Sequence, residues 1–404
     1  WQRLPTSLGR QAAAAARLRR CASYRGDEVY DVVVVGGGVM GAWAAVTAAK
    51  RGASVILAEQ FELDHHQGSS HGDGRIYRLA YAEDVYYDMM MHSLPLWREL
   101  QASTEDKVIA TTGQLNIAPE GHERLADLQR LYQRRGVPYE ALSAQSLQQR
   151  FPQYGAAAGR AALYQPDGGV LFASSSVRAA WRLAESLGVR SVSGYRAAAI
   201  LEESRRVIVE SEEGRPFFAR SLVLAPGAWM SKLAARFFDL PITTRVSAEE
   251  VCYYAPKAGT DIDHSYRAMP NFSASVDNGL GPQGYYGLPM IDVPGIKASA
   301  HYCGPTVDPD LRPAAAGGTE AEPLAPEAET AAKGRVEAVV ASTNRFVAET
   351  LPHVEHEPFK TQSCLYTSTP DHDYVIGPVP GRSRVFLAGG GSGHAFKMGP
   401  AIGD

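Results

Sequence analysis

The chain has 404 residues, four cysteines and a formal net charge of −4. That length accommodates two domains, each with a core of its own. The slightly acidic balance gives no footprint for nucleic acid, and no apolar run is long enough to span a bilayer.

Residues 1–27 hold Arg3, Arg10, Arg17, Arg19, Arg20, Arg25 and an alanine run, with no acid before Asp27. This composition reads as a basic tail or as an organelle transit peptide. The chain opens on Trp1 rather than Met and stops at Gly403-Asp404, inside what reads as the first turn of a helix. A fragment is expected at both ends, and any C-terminal targeting tripeptide lies beyond view. Cys21, Cys252, Cys303 and Cys364 are too scattered for a metal site or a disulfide framework. That suits a reducing compartment and a protein that is not secreted.

Residues 30–52 organise the rest. The apolar run Asp31-Val32-Val33-Val34-Val35 leads into Gly36-Gly37-Gly38-Val39-Met40-Gly41 and then an alanine-rich stretch ending at Gly52. This is strand, tight turn and helix. Gly36 permits the turn, Gly38 lets a pyrophosphate approach the backbone, and Gly41 lets helix and strand pack closely. The helix N-terminus offers free N–H groups and about half an elementary positive charge to phosphates. A second strand, 54–58, ends at Glu59, whose carboxylate can accept from both ribose hydroxyls. A dinucleotide site follows, with FAD and NAD as the candidates.

Gly68, Gly72 and Gly74 next punctuate a polar loop, and Arg75 and Arg78 share a face if a helix begins there. Residues 83–101 read as a helix, 108–117 as a hairpin through Thr111-Thr112-Gly113, and 121–135 and 143–149 as helices. Gly168 to Phe172 opens a new unit, followed by a helix over 174–187 with Ser174 or Ser175 as N-cap. Strands are expected at 191–193, 197–202, 207–211 and 221–225, the last closed by Pro226-Gly227-Ala228-Trp229. Beyond Pro241 the pattern is strand-rich, at 242–246, 251–254, 284–288 and 297–302. Residues 308–333 read as a low-complexity insertion, 334–350 as an amphipathic helix, and 363–367 and 385–388 as strands. The last strand runs into Gly389-Gly390-Gly391-Ser392-Gly393-His394-Ala395-Phe396-Lys397, a second glycine turn and helix start.

Six blocks in this order resemble the monomeric sarcosine oxidase family of flavoproteins, especially its peroxisomal sarcosine/L-pipecolate oxidase branch. They are Glu59-Gln60-Phe61, 68–78, Tyr286-Gly287-Leu288-Pro289, 294–301, 363–370 and 392–397. The resemblance implies an α/β fold: a Rossmann-type FAD-binding domain and a second, antiparallel-sheet α+β substrate domain, with the chain passing between them. On that reading 28–85, 165–235 and 360–404 form the FAD-binding domain and 86–164 and 236–359 the substrate domain. It implies FAD, with Gly36, Gly38, Gly41, Glu59, Ser70, His71, Arg75, Gly227, Gly391, Gly393 and Lys397 binding it and Cys364 bonded to it covalently.

Arg78 and Lys397 match the pair that holds the substrate carboxylate, and Tyr286, His301 and Tyr366 match residues lining the substrate cavity. Leu288 stands where sarcosine-preferring members have phenylalanine, which points towards a cyclic imino acid. Lys297 matches the lysine that assists reaction with dioxygen, and His71 and Arg75 match groups beside the flavin. No metal is implied.

The implied reaction moves hydride from the carbon next to nitrogen of a small secondary amino acid to flavin, and reduces dioxygen to hydrogen peroxide. It requires a neutral amine, and Arg75, Arg78, Lys297 and Lys397 around one pocket would disfavour a further cation. The alternatives are a dehydrogenase or demethylase that uses an electron carrier, and an inactive flavin-binding homologue. The resemblance further implies a monomer in the peroxisome, whereas the basic N-terminus suggests a mitochondrion or plastid.

Overall fold

The computed structural model describes residues 28–157, 159–281, 283–311 and 326–404. The expectations for 1–27 and for 312–325 of the low-complexity segment lie outside these. Along the chain the elements are β1 (Val29–Val35), α1 (Val39–Lys50), β2 (Val55–Ala58), β3 (Gly74–Tyr77), α2 (Asp84–Ala102), β4 (Ile109–Thr111), β5 (Gln114–Pro119), α3 (Glu123–Arg135), β6 (Glu140–Ser143), α4 (Ala144–Arg150), β7 (Arg160–Gln165), β8 (Gly169–Phe172), α5 (Ala173–Ser186), β9 (Arg190–Val192) and β10 (Ala197–Glu202). Then come β11 (Val207–Ser211), β12 (Pro216–Leu224), α6 (Met230–Phe238), β13 (Arg245–Tyr254), β14 (Asn271–Ala274), β15 (Tyr285–Leu288), β16 (Ile296–Ala300), α7 (Pro326–Thr350), β17 (Lys360–Ser368), β18 (Val375–Pro378), β19 (Val385–Gly389) and α8 (Gly399–Gly403).

The chain folds into two compact units. One holds 28–70, Val177–Arg245 and Tyr366–Asp404; the other holds His71–Ser176 and Val246–Leu365. The first unit is built on parallel strands in the order β19-β12-β1-β2-β9. Val33 and Val35 of β1, Ile56 and Ala58 of β2, and Leu222 and Leu224 of β12 share one buried core. Strands covered on both faces read as unbroken apolar runs, which is why this part is plain in the sequence. β10 and β11 extend the sheet in antiparallel fashion from the first half of β12.

The second unit carries an eight-stranded sheet in the order β17-β13-β16-β15-β14-β5-β7-β6. Its registers set Phe272 opposite Leu115 and Gly287, and Gly287 opposite Ala298, which faces Cys252. Because side chains alternate along a strand, these residues and their second neighbours form one face. It is apolar: Leu115, Ile117, Phe272, Ala274, Ile296, Ala298 and Tyr254 share a core with Val339, Phe346 and Val347 of α7. The other face takes the intervening residues Asn116, Ser273, Tyr286 and Ser299 in one row, and Leu288, Lys297 and Tyr253 in the next. A three-stranded sheet, β3-β8-β4, completes the unit.

Several expectations are corrected. Residues 71–85 and 165–176 belong to the second unit rather than to the dinucleotide-binding part, because β3 pairs with β8 along its whole length. No helix begins at Arg75; it lies within β3, and Arg78 follows that strand. The hairpin at 108–117 is absent. β4 pairs with β8, whereas β5 lies between β7 and β14. Gly113 turns the chain there at φ +78°, and a Cβ would meet the Tyr164 ring at 2.4 Å. Neither Ser174 nor Ser175 precedes α5, which starts at Ala173, and the Ser174 hydroxyl accepts from the Gly72 N–H instead. The last eight residues of the expected insertion, 326–333, are helical. α7 starts at Pro326 with Glu327 and Glu329 in its first turn, a favourable opening. The late glycine turn leads only to a 3-10 turn, Phe396–Met398, and the short α8.

Phe272 is fully buried between Tyr154, edge-on at 5.9 Å, and Phe346 at 5.7 Å. Phe272→Ala is expected to destabilise the second unit by about 3–5 kcal/mol, read from the urea unfolding midpoint. A loss under about 1 kcal/mol would place the core elsewhere.

Candidate active site

In the first unit the turn after β1 is held by close contacts that only glycine allows. Gly36 has φ +103°, and a Cβ there would lie 2.2 Å from the Ala225 carbonyl oxygen. A Cβ at Gly41 would lie 1.8 Å from the Gly36 oxygen. At Gly38 a Cβ would meet only the Ser70 side chain, its hydroxyl at 3.1 Å, so the backbone there is open to a ligand. The Glu59 carboxylate, nearly fully buried, accepts from the Gly37 N–H at 2.6 Å and the Phe61 N–H at 3.0 Å. Ser70 accepts from the Val39 N–H at 3.1 Å, satisfying one donor of the first turn of α1. That turn carries no acid. Open backbone at Gly38, a helix N-terminus and a fixed acid after β2 fit the pyrophosphate and ribose of a dinucleotide.

The same unit holds Gly227, in the left-handed region at φ +52° just after β12, and the late glycine turn. Gly393 has φ +71°, and the Tyr366 ring lies where its Cβ would be, at 2.4 Å. Lys397 is nearly fully buried and donates to the His394 carbonyl at 2.7 Å.

In the second unit Lys297 and Tyr253 face one another across β16 and β13. The Lys297 ammonium lies 3.3 Å from the Asp73 carboxylate and donates to the Gly74 carbonyl at 3.1 Å. Tyr253 donates to the same carboxylate at 2.8 Å, and its hydroxyl lies 3.4 Å from the Gln362 side chain. Arg75 donates to the carbonyls of Gly74 and His71, both at 2.9 Å. Gln362 lies 3.4 Å from the His71 ring. Cys364, two residues along β17 from Gln362 and so on the same side of that strand, is buried within electrostatic reach of Lys297. His71, Arg75, Lys297 and Cys364 are therefore gathered about Asp73.

Burial pushes the Lys297 ammonium below the ordinary lysine range and Arg75 adds to this, while Asp73 opposes both. Burial alone would raise the Asp73 carboxyl, but Lys297, the Tyr253 hydroxyl and Arg75 outweigh it and hold it below the ordinary carboxylate range. Burial raises the Tyr253 hydroxyl well beyond the phenol range, and the Asp73 charge raises it further, so Tyr253 remains a donor.

Arg78 stands on a different row. It donates to the Ser273 hydroxyl at 2.9 Å and lies over the Tyr81 ring at 5.1 Å. Tyr286 is opposite Ser273 on β15, and the His301 ring meets it edge-on at 5.2 Å. Leu288 is buried among Val170 and Phe172, with Ile76, Tyr286 and Ile291 beside it. Sequence reasoning passed over Asp73, Tyr253, Gln362 and Ser273. For Asp73 the signal was present, an acid inside Gly72-Asp73-Gly74-Arg75; the other three become visible only with the register.

Residues 31–404 match the family model described as FAD dependent oxidoreductase, and the chain belongs to that family. It is 30% identical over 378 residues to the peroxisomal sarcosine oxidase of Homo sapiens, covering 93% of this chain and 90% of that protein. It is 30% identical over 380 residues to the monomeric sarcosine oxidase of Bacillus sp. (strain B-0618), with the same two shares. Among solved structures, NikD, an unusual amino acid oxidase essential for nikkomycin biosynthesis, matches its fold with a TM-score of 0.74 at 23% identity, over 93% of this chain and 92% of that one. The protein is an FAD-dependent oxidoreductase acting on CH–NH donors, homologous to the sarcosine oxidases.

The buried pair makes stability pH-dependent. Asp73 has a depressed folded pKa, so the stability it contributes is complete above the unfolded carboxylate value of about 3.9 and is lost as pH falls through the folded value. Asp73→Asn is expected to flatten the fall in urea stability below about pH 4, and to destabilise at pH 7 by leaving Lys297 buried without its carboxylate. Parallel acid profiles for the two proteins would refute this assignment.

Proposed function

We propose that the protein is an oxidase of small secondary amino acids, such as sarcosine or L-pipecolate, with dioxygen as the electron acceptor. The amino acid would lose hydride from the carbon next to nitrogen, giving an imine that water hydrolyses, and dioxygen would be reduced to hydrogen peroxide. FAD, when bound, supplies the two-electron acceptor. The observation that carries this reading is the buried Lys297 on the polar face of the sheet, with Arg75 and Asp73 at hand. A fixed cation in a low-dielectric site favours negative charge that develops beside it, as in the reduction of dioxygen.

The other roles are those that the resemblance to the sarcosine oxidases implies, and the chemistry of the residues suits them. Arg78 and Lys397 would take the substrate carboxylate, the guanidinium as a directed fork and the ammonium as a point charge. Fixed cations would hold the substrate amine neutral, as loss of hydride demands. Tyr286, His301, Tyr366 and Leu288 would shape the space for the rest of the substrate. Gly36, Gly38, Gly41, Glu59, Ser70 and Gly227 would hold the dinucleotide. His71, Arg75, Gly391 and Gly393 would lie along the flavin half. Cys364 would bond to the flavin covalently, as the resemblance to the sarcosine oxidases implies, its thiolate attacking the flavin. Its similarity to monomeric and to peroxisomal sarcosine oxidases supports a monomer and a peroxisomal location.

Two measurements test the proposal. A panel of sarcosine, L-pipecolate, L-proline and N-methyl amino acids is expected to yield one peroxide per substrate consumed for at least one member. Dye reduction without peroxide would make the protein a dehydrogenase instead. Acid denaturation is expected to leave flavin on the wild-type polypeptide and to release it from Cys364→Ala. Release from both would remove the covalent bond from the scheme.

A further inference from the structure

The polar face of the second unit's sheet continues past Arg78 to a second guanidinium. Arg124, in the first turn of α3, donates to the Ala80 carbonyl at 3.3 Å and lies within electrostatic reach of Arg78. Among the described residues no carboxylate lies within ion-pair distance of either guanidinium. The acids that Arg124 feels most are Glu83, which is exposed, and Asp127, which is paired with Arg130. The Tyr132 hydroxyl, about two turns along α3, is fully buried within reach of both guanidiniums and beside Asn116. The Asn116 amide nitrogen is turned towards the Tyr132 oxygen, and neither the Tyr132 O–H nor the remaining Asn116 N–H has an acceptor among the described residues. A buried donor left without an acceptor is costly, so two such donors at one place beside two cations mark a site that a ligand completes.

Each of these groups donates. Guanidinium has five N–H groups and no acceptor, the amide nitrogen donates, and a phenol can donate. Their common complement is an anionic oxygen. Asn116 registers with Ser273, the partner of Arg78, on adjacent strands. Strands lie about 5 Å apart, roughly the spacing of the two carboxylates in a five-carbon diacid. We propose that Arg124, Tyr132 and Asn116 form a second anion subsite, and that the preferred substrate is a secondary amino acid whose side chain ends in a carboxylate. Arg78 takes the α-carboxylate and Arg124 the distal one. The inference rests on the assignment of Arg78 to the α-carboxylate.

The test is calorimetric titration of the holoenzyme with glutarate and with butyrate, which are not oxidised, together with peroxide assays on N-methyl-L-glutamate and sarcosine. Glutarate is expected to bind at least tenfold more tightly than butyrate, and kcat/KM to favour N-methyl-L-glutamate by a similar factor. Arg124→Gln is expected to bring the two affinities within about twofold, and Tyr132→Phe, which keeps the ring and its packing, to lose part of the preference. Equal affinities in the wild type, or equal weakening of both ligands by Arg124→Gln, would overturn the subsite. A glutarate preference without peroxide from any amino acid would support the subsite while removing the oxidase reading.

Discussion

The second unit depends on a sheet with one dry face and one charged face. The dry face is closed by α7 and buries aromatic residues such as Phe272, Tyr285 and Phe346. Alternation along the strands then leaves no choice about the other side. If Phe272 points into the core, Ser273 must point away from it, and the registers carry that parity across β5, β14, β15, β16 and β13. A slip of one residue in any pair would turn a polar side chain into the core and an apolar one out of it. Hydrophobic burial on one side thereby fixes the lateral order of chemical groups on the other, at about 5 Å per strand.

That order is costly at Lys297. A fully buried ammonium gives up hydration worth several kcal/mol, and one carboxylate partner recovers only part of it. Asp73 and the Gly74 carbonyl together leave the ammonium partnered but still disfavoured relative to water. A site shaped for stability alone would replace the pair with packed apolar side chains at little loss. The retention of a strained cation beside Arg75 fits a group whose benefit is realised when negative charge forms next to it. The Tyr253 hydroxyl is held as a donor by the same carboxylate, so the three groups set one another's protonation.

The legible part of the sequence was the part whose burial is two-sided or whose turns need glycine. β1, the glycine turn, α1 and Glu59 could be read because Val32 to Val35 form an unbroken apolar run and Gly36 and Gly41 are dictated by sub-van der Waals approaches. β14 was not legible. Asn271-Phe272-Ser273-Ala274 is four residues long and half polar, and only its pairing with β5 on one side and β15 on the other makes it a strand. β6, β7 and β18 were missed for similar reasons, being short or strand-like only once a neighbour pairs with them. The resemblance supplied site residues one by one, but not the groups that set their charge. Asp73 reads as a loop acid until β3 and β16 bring it to Lys297. Arg124 reads as a solvated helix residue until α3 is laid over β5.

The dinucleotide-binding unit solves the opposite electrostatic problem with almost no side-chain charge. The surface it offers at the glycine turn is backbone at Gly38 and a helix end, with the buried Glu59 carboxylate after β2. Two backbone N–H groups already hold that carboxylate. An ionised carboxylate has roughly four lone-pair sites, so Glu59 retains capacity for ribose hydroxyls without first breaking a bond. Trp181 adds to this order by donating to the Gly37 carbonyl at 2.8 Å while its ring fills the space beside Gly37. The loop is thus ordered by the protein itself, and ligand binding need not supply the conformational entropy of ordering it.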